Sequence, residues 1–211
     1  RTSQTTLGKS LDNFFQNGLK RTFDIVFSLL AILLVLWWLL PILALLIKLD
    51  SKGPAFYRQK RTGINNREFW CFKLRTMAAD NPAEEKQATT KDPRITRLGH
   101  FLRKTNLDEY PQFFNVLFGD MSIVGPRPHM IEHTEHYAQL IDQYMVRHFI
   151  KPGITGLSQI KGFRGETINP ILMKSRIKED IFYLQNWSFL LDLKIILLTV
   201  LNMVKVGKNA Y

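Results

Sequence analysis

Residues 25–47 read IVFSLLAILLVLWWLLPILALLI, an uncharged run closed by Lys48. A stretch of roughly 20 apolar residues is enough for a membrane helix. This run is too long for the core of a signal peptide, no small-residue cleavage pattern follows it, and it continues directly into a basic segment. Two arrangements are open: a kinked helix that crosses the bilayer, or a helix that breaks near Leu40 and Pro41 and returns to the face it entered. Proline removes a backbone donor and crowds the preceding turn. A first arm over residues 25–40 reaches about 24 Å at 1.5 Å per residue, short of a hydrocarbon layer of about 30 Å. Basic residues stand at both flanks, Lys20 and Arg21 before the run and Lys48, Lys52, Arg58, Lys60 and Arg61 after it. A spanning helix concentrates them on one side. Both observations favour a re-entrant segment over residues 20–50 with both ends on the cytoplasmic side.

The second informative stretch is residues 103–128, RKTNLDEYPQFFNVLFGDMSIVGPRP, in which adjacent carboxylates, Asp108 and Glu109, are set among basic residues. Asn106 and Glu109 have the spacing of a capping box, which places both acids in the first turn of a helix, where free N–H groups carry partial positive charge and keep carboxylates ionised. Ordinary capping acids have the same pattern, and Pro111 leaves the helix start open by a residue or two. Neighbouring helical residues diverge by about 100°, so this pair cannot flank a bond from opposite sides as glycosidase carboxylates do. One carboxylate as nucleophile and its neighbour as ligand to a hard cation such as Mg²⁺ is the better division, and it suggests phosphoryl chemistry. Downstream, Gly125, Pro126 and Pro128 stiffen a loop that presents Arg127.

The 211 residues carry 29 basic and 18 acidic side chains, a formal charge of +11. Such a balance calls for an anionic partner, whether nucleic acid, phospholipid or a phosphorylated substrate. The single cysteine, Cys71, excludes an intramolecular disulfide and sits in an aromatic run, REFWCFKLR, as a buried structural thiol. His129, His133 and His136 lack a third metal ligand at suitable spacing and read as a polar helix face.

Along the chain, residues 1–19 are polar, and a beginning at Arg1 is expected of a piece cut from something longer. Residues 51–211 form the expected catalytic domain. Two short aromatic runs around Gly63, Asn65 and Asn66 read as a β-hairpin whose Lys73 and Arg75, with Arg58, Lys60 and Arg61, line an anionic pocket or meet lipid headgroups. A basic aromatic hairpin also resembles a nucleic-acid surface, but the adjacent membrane segment argues for no nucleic acid. Residues 78–92 read as an exposed loop and 131–149 as an amphipathic helix. Residues 151–167 read as a glycine-rich loop system without a nucleotide-binding GxxxxGK[ST] or GxGxxG, and 171–186 as another amphipathic helix. Ile195 to Val204 is too short to span and reads as a core or interfacial helix. The fold class is α+β, mainly helical: a re-entrant helix, amphipathic interfacial helices and a small β-hairpin around a cytoplasmic active site.

The ordered set KRTFD, SKGPAFYRQKRTG, FKLRTM, DPRITRLGHFLRKTNLDEYPQFFNVLFGDMSIVGPRP, KPGITGLSQIKGFRGET and NWSFLLDLKI, from Lys20 onward, closely resembles the monotopic polyprenyl-phosphate phosphoglycosyl transferases, the bacterial sugar transferases. With the GKNAY ending, it is most similar to members that begin capsule, exopolysaccharide or O-antigen repeat units with glucose 1-phosphate. The resemblance implies transfer of a sugar 1-phosphate from a UDP-sugar, expected to be UDP-glucose with UDP-galactose as the alternative, to undecaprenyl phosphate, with release of UMP. It implies Asp108 as nucleophile, Glu109 as ligand to Mg²⁺, Arg127 at a nucleotide-binding position, and Lys73, Arg75 and Arg103 at phosphates. The implied location is the cytoplasmic face of the bacterial inner membrane, in contact with its lipid and open to homo-oligomer formation. Many members carry, ahead of these motifs, spanning helices and a further soluble domain. Two other function classes are a non-catalytic basic membrane-surface module and a nucleic-acid binder.

Overall fold

A leucine-rich run with no charge between Asp24 and Lys48 has the composition of a continuous helix, and in the computed structural model it forms one. The structure describes residues 14–78, 92–163 and 170–204. The long helix comprises α1 (Phe14–Ala31), a π-helical turn (Ile32–Leu36) and α2 (Trp37–Asp50). Its apolar part, Asn17–Asp50, has 34 residues, a length of about 50 Å at 1.5 Å per residue. Instead of breaking at Pro41, the chain stays helical through it, and the irregularity is the π turn upstream. There Trp37 N–H donates to Ile32 O, and the Trp38 indole donates to Leu34 O at 3.0 Å. A side chain thus satisfies a main-chain carbonyl on an exposed apolar surface, where an unpaired one is costly.

One face of this helix is buried from Asp24 to Ile47. Asp24, Ser28, Leu36, Leu40, Leu43 and Ile47 recur at intervals of three, four or eight residues and are all buried. The other face exposes Leu30, Leu33, Leu34, Trp37, Leu45 and Leu49. At the N-terminal end Lys20 Nζ meets Asp192 at 2.6 Å, Arg21 donates to Val116 O and Leu117 O, and Asp24 accepts from Ser122 Oγ and Ile123 N–H. At the other end Leu36, Leu40, Leu43 and Ile47 share a core with Ala55, Leu74 and Leu102.

The hairpin expected from the aromatic runs is present, β1 (Phe56–Thr62) against β2 (Glu68–Leu74), with Phe56 opposite Leu74 and Thr62 opposite Glu68. Asn65 and Asn66 take positive φ in its loop, a conformation asparagine tolerates. Cys71 is buried on the inner face, and burial pushes its thiol pKa up, as befits a packing residue. Next come α3 (Arg97–Thr105), a 3₁₀ turn (Leu107–Glu109) and α4 (Gln112–Phe118). Fully buried Asn115 in α4 behaves like an extra strand, accepting from Phe72 N–H at 2.9 Å and donating to Trp70 O at 2.7 Å. This fixes α4 to β2.

Residues 151–163, read from sequence as a loop system, contain β4 (Gly153–Thr155), parallel to β3 (Ser122–Val124), and a short helix α6 (Leu157–Ile160). Glycine is required where the strands meet: a Cβ on Gly153 would strike the Gly125 nitrogen, and one on Gly156 the Gly125 carbonyl. The helix anticipated over 131–149 is two pieces, α5 (Ile131–Leu140) and a 3₁₀ stretch (Tyr144–Phe149), separated at Gln143, which takes φ +63°. The anticipated loop at 78–92 lies almost wholly outside the described residues. Helices α7 (Pro170–Gln185) and α8 (Phe189–Val204) complete the fold, and α8 buries Asp192 and Ile195 while exposing Leu190, Leu193, Leu197, Val200 and Leu201. The architecture is α+β and mainly helical.

Candidate active site

Helix α3 ends because Asn106 swings into the left-handed region at φ +60°, its N–H returning to Arg103 O and Leu102 O. The expected capping box is therefore absent. Asn106 closes the helix behind it, and Asp108 and Glu109 occupy the 3₁₀ turn between two helices, with Pro111 at the start of α4. Glu109 does not reach back to Asn106, because stronger partners take it: Lys73 Nζ at 3.0 Å, Arg127 Nη2 at 2.6 Å to the same oxygen, and Arg127 Nη1 at 3.1 Å to the other. Charge-assisted bonds of this kind outweigh a neutral N–H donor.

Asp108 is differently placed. Its side chain is buried, yet its carboxylate accepts no hydrogen bond among the described residues. Burial pushes its pKa up to about 6, with the charge of Glu109 acting in the same direction and Lys73, Arg103 and Arg127 opposing it. Of the two features expected to keep this group ionised, the basic neighbours are present and the helix N-terminus is not, since the next helix starts only at Gln112. A carboxylate without hydrogen-bond donors, ionised at neutral pH and ringed by cations, is a competent nucleophile toward an anionic phosphorus centre.

The structure brings Lys73, Arg103 and Arg127 to this pair. Arg103, in the last turn of α3, is oriented by donation from Nε to Thr76 Oγ1 at 2.8 Å. Arg75 is placed elsewhere. Its guanidinium donates to Lys52 O at 2.6 Å, Ser51 O at 2.6 Å, Ser51 Oγ at 3.0 Å and Ile47 O at 3.4 Å, so it caps the C-terminus of α2 instead of reaching a phosphate at the acid pair. The orphan carbonyls of a helix end, with their partial negative charge, account for this attraction.

Several supports of the site had no signal in the sequence, because they join residues far apart in the chain. Gly125 N–H donates to Thr155 O and Gly153 N–H to Pro126 O, both at 2.9 Å, which fastens the loop that carries Arg127. Arg147, fully buried, donates from Nη2 to Arg127 O at 2.6 Å while pairing with Asp180 at 2.8 Å. Its Nη1 meets His129 Nδ1 at 2.6 Å. His129 precedes α5 and is buried, so the polar-face reading of the three histidines fails for it. Desolvation and the nearby Arg147 and Arg176 hold its pKa well below the usual histidine range, so it stays neutral.

The acid pair offers oxygen donors only, with no cysteine or histidine contributed, and among the described residues no group of three or more potential ligands forms a metal cage. This suits a hard cation that completes its coordination with substrate phosphates and takes one or two protein carboxylates. Beside Glu109 opens a cavity of about 870 Å³, lined among others by Phe27, Leu34, Tyr110, Thr155 and Val200.

Residues 15–206 match the family model described as bacterial sugar transferase. The chain belongs to that family. It is 48% identical over 206 residues to the UDP-glucose:undecaprenyl-phosphate glucose-1-phosphate transferase of Xanthomonas campestris pv. campestris, an alignment covering 97% of this chain and 42% of the relative. A protein of the same description from Klebsiella pneumoniae is 50% identical over 193 residues, 91% of this chain and 41% of the relative. The exopolysaccharide production protein PSS of Rhizobium leguminosarum bv. phaseoli is 46% identical over 196 residues, 90% of this chain and 98% of the relative. The chain therefore spans about two fifths of the first two relatives and nearly all of the third.

Proposed function

We propose that this bacterial sugar transferase moves a sugar 1-phosphate, glucose 1-phosphate in the first instance, from a UDP-sugar to undecaprenyl phosphate and releases UMP, the step that initiates a polysaccharide repeat unit. The observation that carries this reading is the contrast between the two acids. Glu109 is gripped by Lys73 and Arg127, whereas Asp108 takes no hydrogen bond among the described residues and keeps its carboxylate for attack. The names of the relatives, each said of its own protein, support the substrate pair.

In this mechanism an Asp108 oxygen attacks the β-phosphorus of the donor, the bond from that phosphorus to the oxygen bridging the two phosphates breaks, and UMP departs with that oxygen. A sugar-phosphoryl aspartate remains. An oxygen of the acceptor phosphate then attacks the same phosphorus, the bond to Asp108 breaks, and the carboxylate is regenerated. Cleavage at phosphorus leaves the anomeric configuration unchanged. Arg127, Lys73 and Arg103 hold the donor's phosphates and offset their charge. As the donor's phosphates draw Lys73 and Arg127 away from it, Glu109 would hold Mg²⁺, and the ion would supply charge neutralisation for the leaving UMP.

We place the long helix in one face of the cytoplasmic membrane with the rest of the domain on the cytoplasmic side. Lys20 and Asp24 at one end and Ile47 and Ser51 at the other all contact the same folded body. The body also packs along the helix between those ends, through Ser28, Leu36, Leu40 and Leu43, which leaves no bare length equal to the hydrocarbon thickness of about 30 Å, so this supports a membrane-embedded segment that does not span.

The test is UMP release from a panel of UDP-sugars with and without undecaprenyl phosphate, together with transfer of label from the β-phosphate to protein when acceptor is absent. Label that persists in Asp108→Asn, or UMP release only when both substrates are bound, sinks the covalent route and makes Asp108 a metal ligand in direct transfer.

A further inference from the structure

The cavity beside Glu109 is walled by α1 and its π turn on one side and by α8 on the other, through Phe27, Leu34, Ile196 and Val200. None of Lys73, Arg103 and Arg127 lines it, although Glu109 and Lys104 do. Glu109 therefore faces two approaches of different character, one through the basic cluster and one through a cavity with apolar walls. The apolar walls are also surface: Leu34 is 67% exposed and Val200 53%, so the cavity opens on the same apolar face that α1 and α8 leave uncovered. A volume of about 870 Å³ lies within the roughly 300–1,000 Å³ of ordinary small-molecule sites. It is sized for part of one hydrocarbon chain.

The geometry points to this cavity as the site for the first isoprenoid units of the lipid acceptor, entering sideways from the bilayer with the acceptor phosphate directed past Lys104 toward the acid pair. This rests on the function proposed above and adds where the second substrate binds. A nucleotide diphosphate gains nothing from leucine, valine and isoleucine walls, whereas a branched hydrocarbon is removed from water against them. Of the two lysines in the lining, Lys161 pairs with Glu179 at 2.7 Å and Lys104 supplies the positive charge that a phosphate monoester requires, beside the leucine, isoleucine and valine side chains of α1 and α8. Donor and acceptor thus reach Asp108 by separate routes, which suits a covalent intermediate formed by one and discharged by the other.

Two measurements on the full chain in detergent micelles decide it. In the first, Val200→Trp and, from the opposite wall, Leu34→Trp narrow the cavity at exposed positions. Each is expected to raise the KM for undecaprenyl phosphate about tenfold or more while the burst of UMP from donor alone is retained. Leu190→Trp, on α8 but outside the cavity, is the control and should match wild type. An unchanged acceptor KM in both cavity variants overturns the proposal. The second uses a diazirine-bearing farnesyl phosphate as photoprobe. Label is expected in residues 27–36 and 196–203 and should be displaced by undecaprenyl phosphate but not by phosphatidylglycerol. Label confined to other segments, or equal displacement by the phospholipid, overturns the site even if the tryptophan variants fail to fold. A wild-type enzyme without a donor-only burst overturns the covalent mechanism instead, and the photolabel still decides the cavity.

Discussion

Arg127 holds Glu109 in a two-point grip, Nη2 to Oε1 at 2.6 Å and Nη1 to Oε2 at 3.1 Å, and no side chain other than arginine presents that fork. Arg127→Lys keeps the charge and loses the second contact. We expect kcat/KM for the UDP-sugar to fall about 10- to 100-fold in Arg127→Lys and further in Arg127→Ala, with the larger part in donor KM. Steady-state kinetics at saturating acceptor provide the check, and an unaffected donor KM would remove Arg127 from the donor site.

The acid limb of the pH profile belongs to Asp108. Its pKa is raised from 3.8 to about 6, and attack needs the ionised form, so the donor half-reaction should lose about tenfold per pH unit below pH 6 and level off above it. The sign for stability is opposite to that of a salt-bridged acid. Between pH 3.8 and about 6 the folded state holds this proton more tightly than the unfolded state, so the contribution of Asp108 to stability falls as pH rises through that window. Asp108→Asn should therefore be inactive yet more stable than wild type at pH 7.5, by about 1–3 kcal/mol, and melt at a higher temperature. A lower melting temperature would contradict this account of its burial.

Arg75 separates a capping role from a phosphate-binding one. Removing its guanidinium in Arg75→Met leaves the carbonyls of Ile47, Ser51 and Lys52 without that donor, a loss of about 2–4 kcal/mol. Thermal melts in micelles should show it, while donor KM in the folded fraction stays near wild type. A selective rise in donor KM with unchanged stability would restore Arg75 to the substrate site.

Topology is open to thiol labelling. Gly18→Cys and Lys48→Cys, both at exposed positions, in a Cys71→Ala background, should be modified from the same side of sealed membrane vesicles by an impermeant reagent. Because the helix is continuous through Pro41 and is fixed at both ends, Pro41→Ala should leave that sidedness unchanged. Opposite sidedness of the two cysteines would establish a spanning helix.

The sequence disclosed those features whose cause is local. Aromatic runs on either side of the Gly63 to Asn66 loop set the hairpin, and the leucine run set the long helix. The acid pair stood out by its charge context. It concealed what depends on distant partners. The Asn106 to Glu109 spacing fits a capping box, but one residue cannot close α3 and open another helix, and the cations on Glu109 come from β2 and the Arg127 loop, 36 and 18 positions away. Arg75 has the same neighbours in sequence as a phosphate-binding arginine, and only the approach of α2 shows its task. The pairing of β3 with β4 involves three residues on each strand, too few for a pattern to register.

A single short stretch at the end of β2 joins the long apolar helix to the candidate active site. Lys73 reaches Glu109, Arg75 fastens the end of α2, and Thr76 orients Arg103. Three neighbouring residues thus act as a spacer of fixed height, and with the helix placed in the bilayer as proposed the lipid surface would serve as a reference plane for the carboxylates. In that placement the reacting phosphate of the proposed lipid acceptor would arrive at a level already set, and the two-dimensional membrane would substitute for part of the alignment a soluble enzyme must build from contacts alone.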